Sequence, residues 1–197
     1  MSLFKQTYRV ESTRLPGHDY AQPGWYFVTL CTRGQECVLG RILDGVMHHS
    51  EIGDLVVEEW LRTPHVRAGM SLDEWVVMPN HLHGIIVIEG TGAVAGREIN
   101  RASGANRGSA ETPRRGISTR QGNSTLRAGS LGAIIGQFKS VSTKRICALG
   151  YHRFAWQPRF YDHVVRDDSS LARIRQYILD NPARWEDERE RVANLWM

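Results

Sequence analysis

At 197 residues, with 41% hydrophobic and 23% charged side chains, the chain is long enough for one hydrophobic core and is ordinary in composition for a globular protein. No apolar run approaches the ~18 residues of a bilayer span, and the opening MSLFKQTYRVESTR has no apolar stretch after its charges, which argues against a secretory signal. Three cysteines, Cys31, Cys37 and Cys147, are odd in number and make no CxxC pair. A disulfide framework or cysteine zinc site is therefore not expected, and a reducing cytoplasm is.

The net charge of +4 is held unevenly. Segment 91–128 contains seven arginines against two glutamates, an excess larger than that of the whole chain. Such a concentration suits a polyanionic partner, although an Arg-rich loop can also be merely well solvated.

GWYFVTLCTR (Gly24 to Arg33) is aromatic and β-branched and ends at a turn, as a strand does. A helix follows, capped by Ser50, with Ile52, Leu55, Val56 and Trp60 on one stripe. SLDEWVVMPNHLHGIIVIE reads as two strands joined at Pro79-Asn80. Segment 91–128 has almost no large apolar side chain to bury and reads as a flexible basic insert within a single domain spanning 1–197. Ser130 then caps a helix with Leu131, Ile134, Ile135, Phe138 and Val141 on its stripe. FAWQPRFYDHVV reads as a last strand made irregular by Pro158. A final helix in DDSSLARIRQYILDNP stops at Asn181-Pro182. The order gives an α+β class: a ferredoxin-like antiparallel sheet with two helices on one face and an additional C-terminal helix, free to cover the other.

Because side chains alternate along a strand, His81 and His83 share a face and Leu82 takes the opposite one. Two neutral imidazoles so placed can hold part of a divalent cation's shell; ordinary hydrogen-bonded histidines fit the same pattern. On the last helix Leu171, Ile174 and Ile178 face inward, and Tyr177 and Asn181 stack one turn apart at the flank of that stripe. They read either as edge packing and a helix stop, or as a phenol and an amide offered to something bound on the sheet. Gly129, Gly132 and Gly136 are no phosphate loop, since no Gly-Lys-Ser/Thr follows. His48 and His49 are expected in a loop leading into the first helix. Asp73, Glu74, Asp162 and His163 lie near the strands of interest, without an assigned role.

The blocks LPGHDYAQPGWYFVTLCT, LDEWVVMPNHLHGIIVI, LGAIIGQFKS and WQPRFYDHVVRDDSSLARIRQYILDNPARW together resemble the REP-associated tyrosine transposases. These are relatives of the small single-strand insertion-sequence transposases, within the HUH endonuclease superfamily; MPNHLHG and YILDNP are the most diagnostic pieces. The resemblance implies a ferredoxin-like fold, His81 and His83 as metal ligands, Asn181 as a third, amide-bearing ligand, and Tyr177 as the nucleophile. It further implies Mg²⁺ or Mn²⁺, a 5′-phosphotyrosine intermediate, and single-stranded DNA with a stem-loop, of the kind repetitive extragenic palindromes form. The oligomer would be a monomer or a homodimer, with no membrane partner. Arg153, Arg159, Arg166, Arg173 and Arg175, interleaved with Trp156 and Phe160, are candidate DNA contacts, unless the two aromatics belong to the core. A ferredoxin-like module that binds nucleic-acid hairpins without cutting is the competing reading.

Overall fold

In a computed structural model the chain is described at residues 3–4, 7–8, 14–89 and 129–185. The basic segment 91–128, with the role expected of it, lies outside the described residues.

Two short strands, β1 (Leu3–Phe4) and β2 (Thr7–Tyr8), pair with each other. The main sheet is built from β3 (Gly24–Cys31), β6 (Met70–Met78), β7 (His81–Ile88) and β8 (Tyr161–Val165) in the order β6-β7-β3-β8, with every pairing antiparallel. Helix α1 (Glu51–Val66) separates β3 from β6, and α2 (Leu131–Ala148) precedes β8. This is the ferredoxin-like order, β-α-β-β-α-β. Helix α3 (Asp168–Asp180) closes the described chain, followed by a single 3₁₀ turn at Pro182–Arg184. No described helix is long and apolar enough to cross a membrane.

Strand alternation divides the core in two. Tyr26, Val28, Leu30, Leu82 and Ile86 point to one face and pack with Val56 and Trp60 of α1 and with Ile134, Ile135 and Phe138 of α2. Phe27, Ile85 and Val165 point to the other and pack with Leu171 and Ile178, with Ile174 and Tyr177 alongside. Gly84 shows how tightly the first face is filled: a Cβ there would stand 2.6 Å from the Trp60 ring and 3.3 Å from the Trp75 Cβ. Across α1 and α2, Arg145 makes ion pairs with Glu58 (2.8 Å) and with Glu59. Ser50 and Ser130 cap the two helices as expected, accepting from the Gly53 and Ala133 N–H groups.

Two expectations need correcting. A hairpin of β4 (Gly40–Leu43) and β5 (Val46–His49) precedes α1, so His48 and His49 lie on a strand rather than in a loop. Its turn is Asp44-Gly45 with φ of 51° and 75°, the paired left-handed residues that tight hairpins require. The last strand is shorter than FAWQPRFYDHVV. Trp156 makes only an isolated bridge to Thr32, and β8 starts at Tyr161, beyond Pro158, which has no N–H to give a ladder.

Candidate active site

The β6–β7 turn, Pro79-Asn80, delivers the chain into β7 with His81 and His83 on the α3 face. Both imidazoles are buried, at 4% and 5% exposure. Burial pushes His81 down to about 4, and burial with the neighbouring ring holds His83 well below the ordinary histidine value. Both rings are therefore neutral at neutral pH, the form that can ligate a metal. Their Nε2 atoms converge to 3.0 Å. Each Nδ1 has its own partner: Asn80 Oδ1 at 2.7 Å for His81 and Thr29 Oγ1 at 2.9 Å for His83. Thr29 is directly opposite His83 in the β3–β7 register.

Helix α3 brings the phenol. Tyr177 Oη lies 3.3 Å from His83 Nε2, and its half-buried ring meets the Phe27 ring edge-on at 6.2 Å. One turn on, Asn181 is 1% exposed, and neither its Oδ1 nor its Nδ2 has a hydrogen-bond partner. Trp185 stacks at 5.9 Å from the His81 ring and covers it from the side of the 3₁₀ turn.

The donor set can be tested for fit to a divalent cation. A buried amide without partners costs ~1–3 kcal/mol, and its carbonyl oxygen is a ligand that hard cations accept. Adjacent ligands of an octahedral ion with ~2.1 Å bonds stand ~3.0 Å apart, which is the separation of the two Nε2 atoms; an N–H···N hydrogen bond has the same length. The two imidazoles thus fit part of such an ion's shell, with the unpartnered Asn181 amide at the end of α3 as a further oxygen donor of the right chemistry.

The arginines divide. Arg173 lines a cleft of about 340 Å³ together with Tyr177, Phe27, Tyr161 and His163. Arg166 lines a second, larger cleft of about 600 Å³ on the other side of Tyr161 and His163. Arg153 and Arg159 are exposed on the segment before β8. Arg175 is tied into the fold. It forks onto both oxygens of Asp73 at 2.7 Å and lies 5.4 Å over the Trp25 ring, tying α3 to β6 and β3. Trp156 is core, 5% exposed and donating to Ser142 Oγ at 3.0 Å, whereas Phe160 is only partly buried against that core. Asp162 is buried on the face opposite Tyr177, with Arg14 Nε 3.8 Å from its carboxylate. Thr29, Asn80 and Trp185 were not singled out from the sequence. The register of β3 on β7 would have found Thr29, and position next to His81 could have flagged Asn80.

No family model matches the chain. In fold the chain is similar to a REP-associated tyrosine transposase solved bound to a REP hairpin: TM-score 0.51, 16% identity, 93% of this chain and 74% of that one covered. A Deinococcus radiodurans R1 chain provisionally assigned as a transposase is a looser likeness, with TM-score 0.41 and 16% identity over 85% of this chain and 97% of that one. The class is therefore set by the first: an α+β chain with the fold of the REP-associated tyrosine transposases. The chain is also 31% identical over 179 residues, 90% of each sequence, to an uncharacterised protein of Haemophilus influenzae Rd, and it belongs to the same family as that protein.

Proposed function

We propose that the protein is a divalent-metal-dependent tyrosine transposase that cuts and rejoins single-stranded DNA at hairpin sequences. The observation that carries this reading is a phenol 3.3 Å from one of two neutral imidazoles that meet each other at 3.0 Å, with a buried amide that has no hydrogen bond one helical turn after the phenol. Hairpin binding requires none of these three chemistries together.

His81, His83 and Asn181 would hold Mg²⁺ or Mn²⁺. When bound, the cation would grip a non-bridging phosphate oxygen, offset the charge that builds at phosphorus, and ease loss of the phenol proton, whose pKa is otherwise ~10. Tyr177 Oη attacks phosphorus, the bond to the 3′-oxygen breaks, and a 5′-phosphotyrosine and a free 3′-OH result. One phosphodiester replaces another of similar energy, so a 3′-OH can reverse the step and rejoin strands without ATP. Arg173, at the cleft that Tyr177 lines, would engage a flanking phosphate. Tyr177 approaches the His83 of its own chain, so a monomer would carry a complete set and a second copy would not be needed to supply the nucleophile.

The test is incubation of the protein with a 3′-labelled single-stranded hairpin oligonucleotide and Mn²⁺, since a 5′-phosphotyrosine retains the fragment on the 3′ side of the cut. A denaturation-resistant protein–DNA adduct is expected, lost on adding EDTA and in Tyr177→Phe. Hairpin binding by the wild type with no adduct under any metal would instead establish the non-cleaving module.

A further inference from the structure

His81 and His83 look interchangeable in an HxH motif, yet their hydrogen-bond partners are chemically unlike. We propose that Asn80, oriented by the Gln35 carbonyl, locks His81 in one tautomer, while the Thr29 hydroxyl lets His83 exchange tautomers when a divalent cation binds. Only the exchange rests on the metal reading above; the fixed tautomer of His81 stands without it.

The Gln35 carbonyl oxygen can only accept, and Asn80 Nδ2 lies 3.2 Å from it. That contact decides which end of the amide is NH₂, so Asn80 presents Oδ1 to His81 Nδ1 at 2.7 Å. An amide oxygen also only accepts, so the His81 proton sits on Nδ1 and its Nε2 is bare. The surroundings hold this arrangement. Gln35 adopts a left-handed φ of 56°, directly after Gly34 at 64°, a conformation non-glycine residues keep only when neighbours impose it. Thr32 clamps the Asn80 backbone: its N–H donates to the Asn80 carbonyl at 2.9 Å, and its hydroxyl hydrogen lies between that carbonyl at 3.0 Å and the Glu36 carbonyl at 2.8 Å.

His83 is placed differently. Its Nε2 stands 3.0 Å from a bare nitrogen, and two facing lone pairs repel. Without a cation between them His83 carries its hydrogen on Nε2 and donates it to His81, with Tyr177 Oη, 3.3 Å from the same atom, as a second acceptor. Its Nδ1 is then bare and accepts from the Thr29 hydroxyl at 2.9 Å. When a cation takes both Nε2 lone pairs, one proton leaves His83 Nε2 and one arrives at Nδ1, so the count is unchanged. The hydroxyl can follow, because it donates and accepts equally well. Asn80 could not. Asn80 and Thr29 are thus positioning residues: one presets a ligand, the other accommodates its partner.

Long-range ¹⁵N–¹H spectra of the imidazole nitrogens read tautomers directly. In metal-free protein, His81 is expected as Nδ1–H and His83 as Nε2–H; saturating Mg²⁺ should move His83 to Nδ1–H and leave His81 unchanged. Asn80→Ala should let His81 populate both tautomers and weaken Mn²⁺ binding, measured calorimetrically, by ~10- to 100-fold. Thr29→Val should weaken Mn²⁺ binding without altering metal-free His81, and Thr29→Ser should restore it. An Nε2–H signal for His81 in the metal-free wild type would overturn the lock, a measurement that needs no variant to fold. A His83 signal unmoved by Mg²⁺ would overturn the exchange. Normal Mn²⁺-dependent adduct formation alongside either result leaves the transposase reading intact, whereas a locked His81 in a protein that never forms an adduct sinks that reading alone.

Discussion

The two faces of the central sheet are made from the same strands, residue by alternate residue, and serve opposite ends. Toward α1 and α2 the strands present Tyr26, Val28, Leu30, Leu82 and Ile86, and the space is filled until a single methyl at Gly84 would collide with Trp60. Toward α3 they present Thr29, His81 and His83 beside Phe27 and Ile85, and a buried amide is left without partners. Stability is invested on the first face. On the second, burial serves to keep imidazoles neutral and a phenol half-covered. A period of two in sequence is enough to keep the two tasks apart.

That division predicts which variants harm chemistry and which harm folding. The largest effect is on chemistry: Tyr177→Phe should remove the DNA adduct altogether, beyond ~10³-fold, while its melting temperature stays within about 2 °C of wild type. A matching loss of stability would mean that the phenol is a core residue. Next in size, Trp60→Ala should cost ~3–5 kcal/mol in urea unfolding, because the indole is fully buried against Phe138 at 5.2 Å and covers Gly84. The Trp60→Ala protein that remains folded should still form the adduct.

A third variant cuts between the faces. Asn181→Ala removes a polar group that has no hydrogen bond, so the metal-free protein should lose nothing and recover part of the ~1–3 kcal/mol that the unpartnered amide costs. Mn²⁺ affinity should fall at least tenfold. Loss of stability in the absence of metal would show that Asn181 is a structural helix stop, and the amide would drop out of the ligand set.

Much of this was legible in the sequence, for identifiable reasons. The two helix stripes, the Ser50 and Ser130 caps and the Pro79-Asn80 turn are local patterns, and the alternation of His81, Leu82 and His83 follows from strand geometry alone. The resemblance then pointed to Tyr177 and Asn181, and the fold agrees with it. What stayed hidden depends on pairing between distant segments. Thr29 becomes a partner of His83 only through register across 54 positions. Arg175, a candidate DNA contact in the sequence, acquires its Asp73 partner only when α3 packs on β6. The β4–β5 hairpin was readable from Asp44-Gly45 but was masked because its apolar residues, Ile42-Leu43 and Val46-Met47, come in adjacent pairs and give no clean alternation. Phe160 and Trp156 are two further neighbours in sequence that packing separates, one half-covered and one in the core.

The smallest effect tests whether α3 is held on the second face by charge as well as by its apolar stripe. The Arg175 fork beside Asp73 holds that carboxyl below the usual aspartate range. A carboxyl whose folded value is depressed adds stability above its unfolded value, near pH ~3.9, and loses it as pH falls through the lower folded value. Asp73→Asn should therefore cost ~0.5–1 kcal/mol at pH 7, the scale of a partly exposed, well-aligned ion pair, and the gap from wild type should close as the pH drops below about 4. Because the pair anchors the helix that carries Tyr177, adduct formation should also slow, by ~3- to 10-fold, a larger fraction than the stability loss alone would give. A gap that stays constant down to pH 3 would assign α3 docking to Leu171, Ile174 and Ile178 only. Unchanged adduct rates would show that the phenol reaches its target from a helix free to shift, and that the second face is positioned by its strands rather than by its helix.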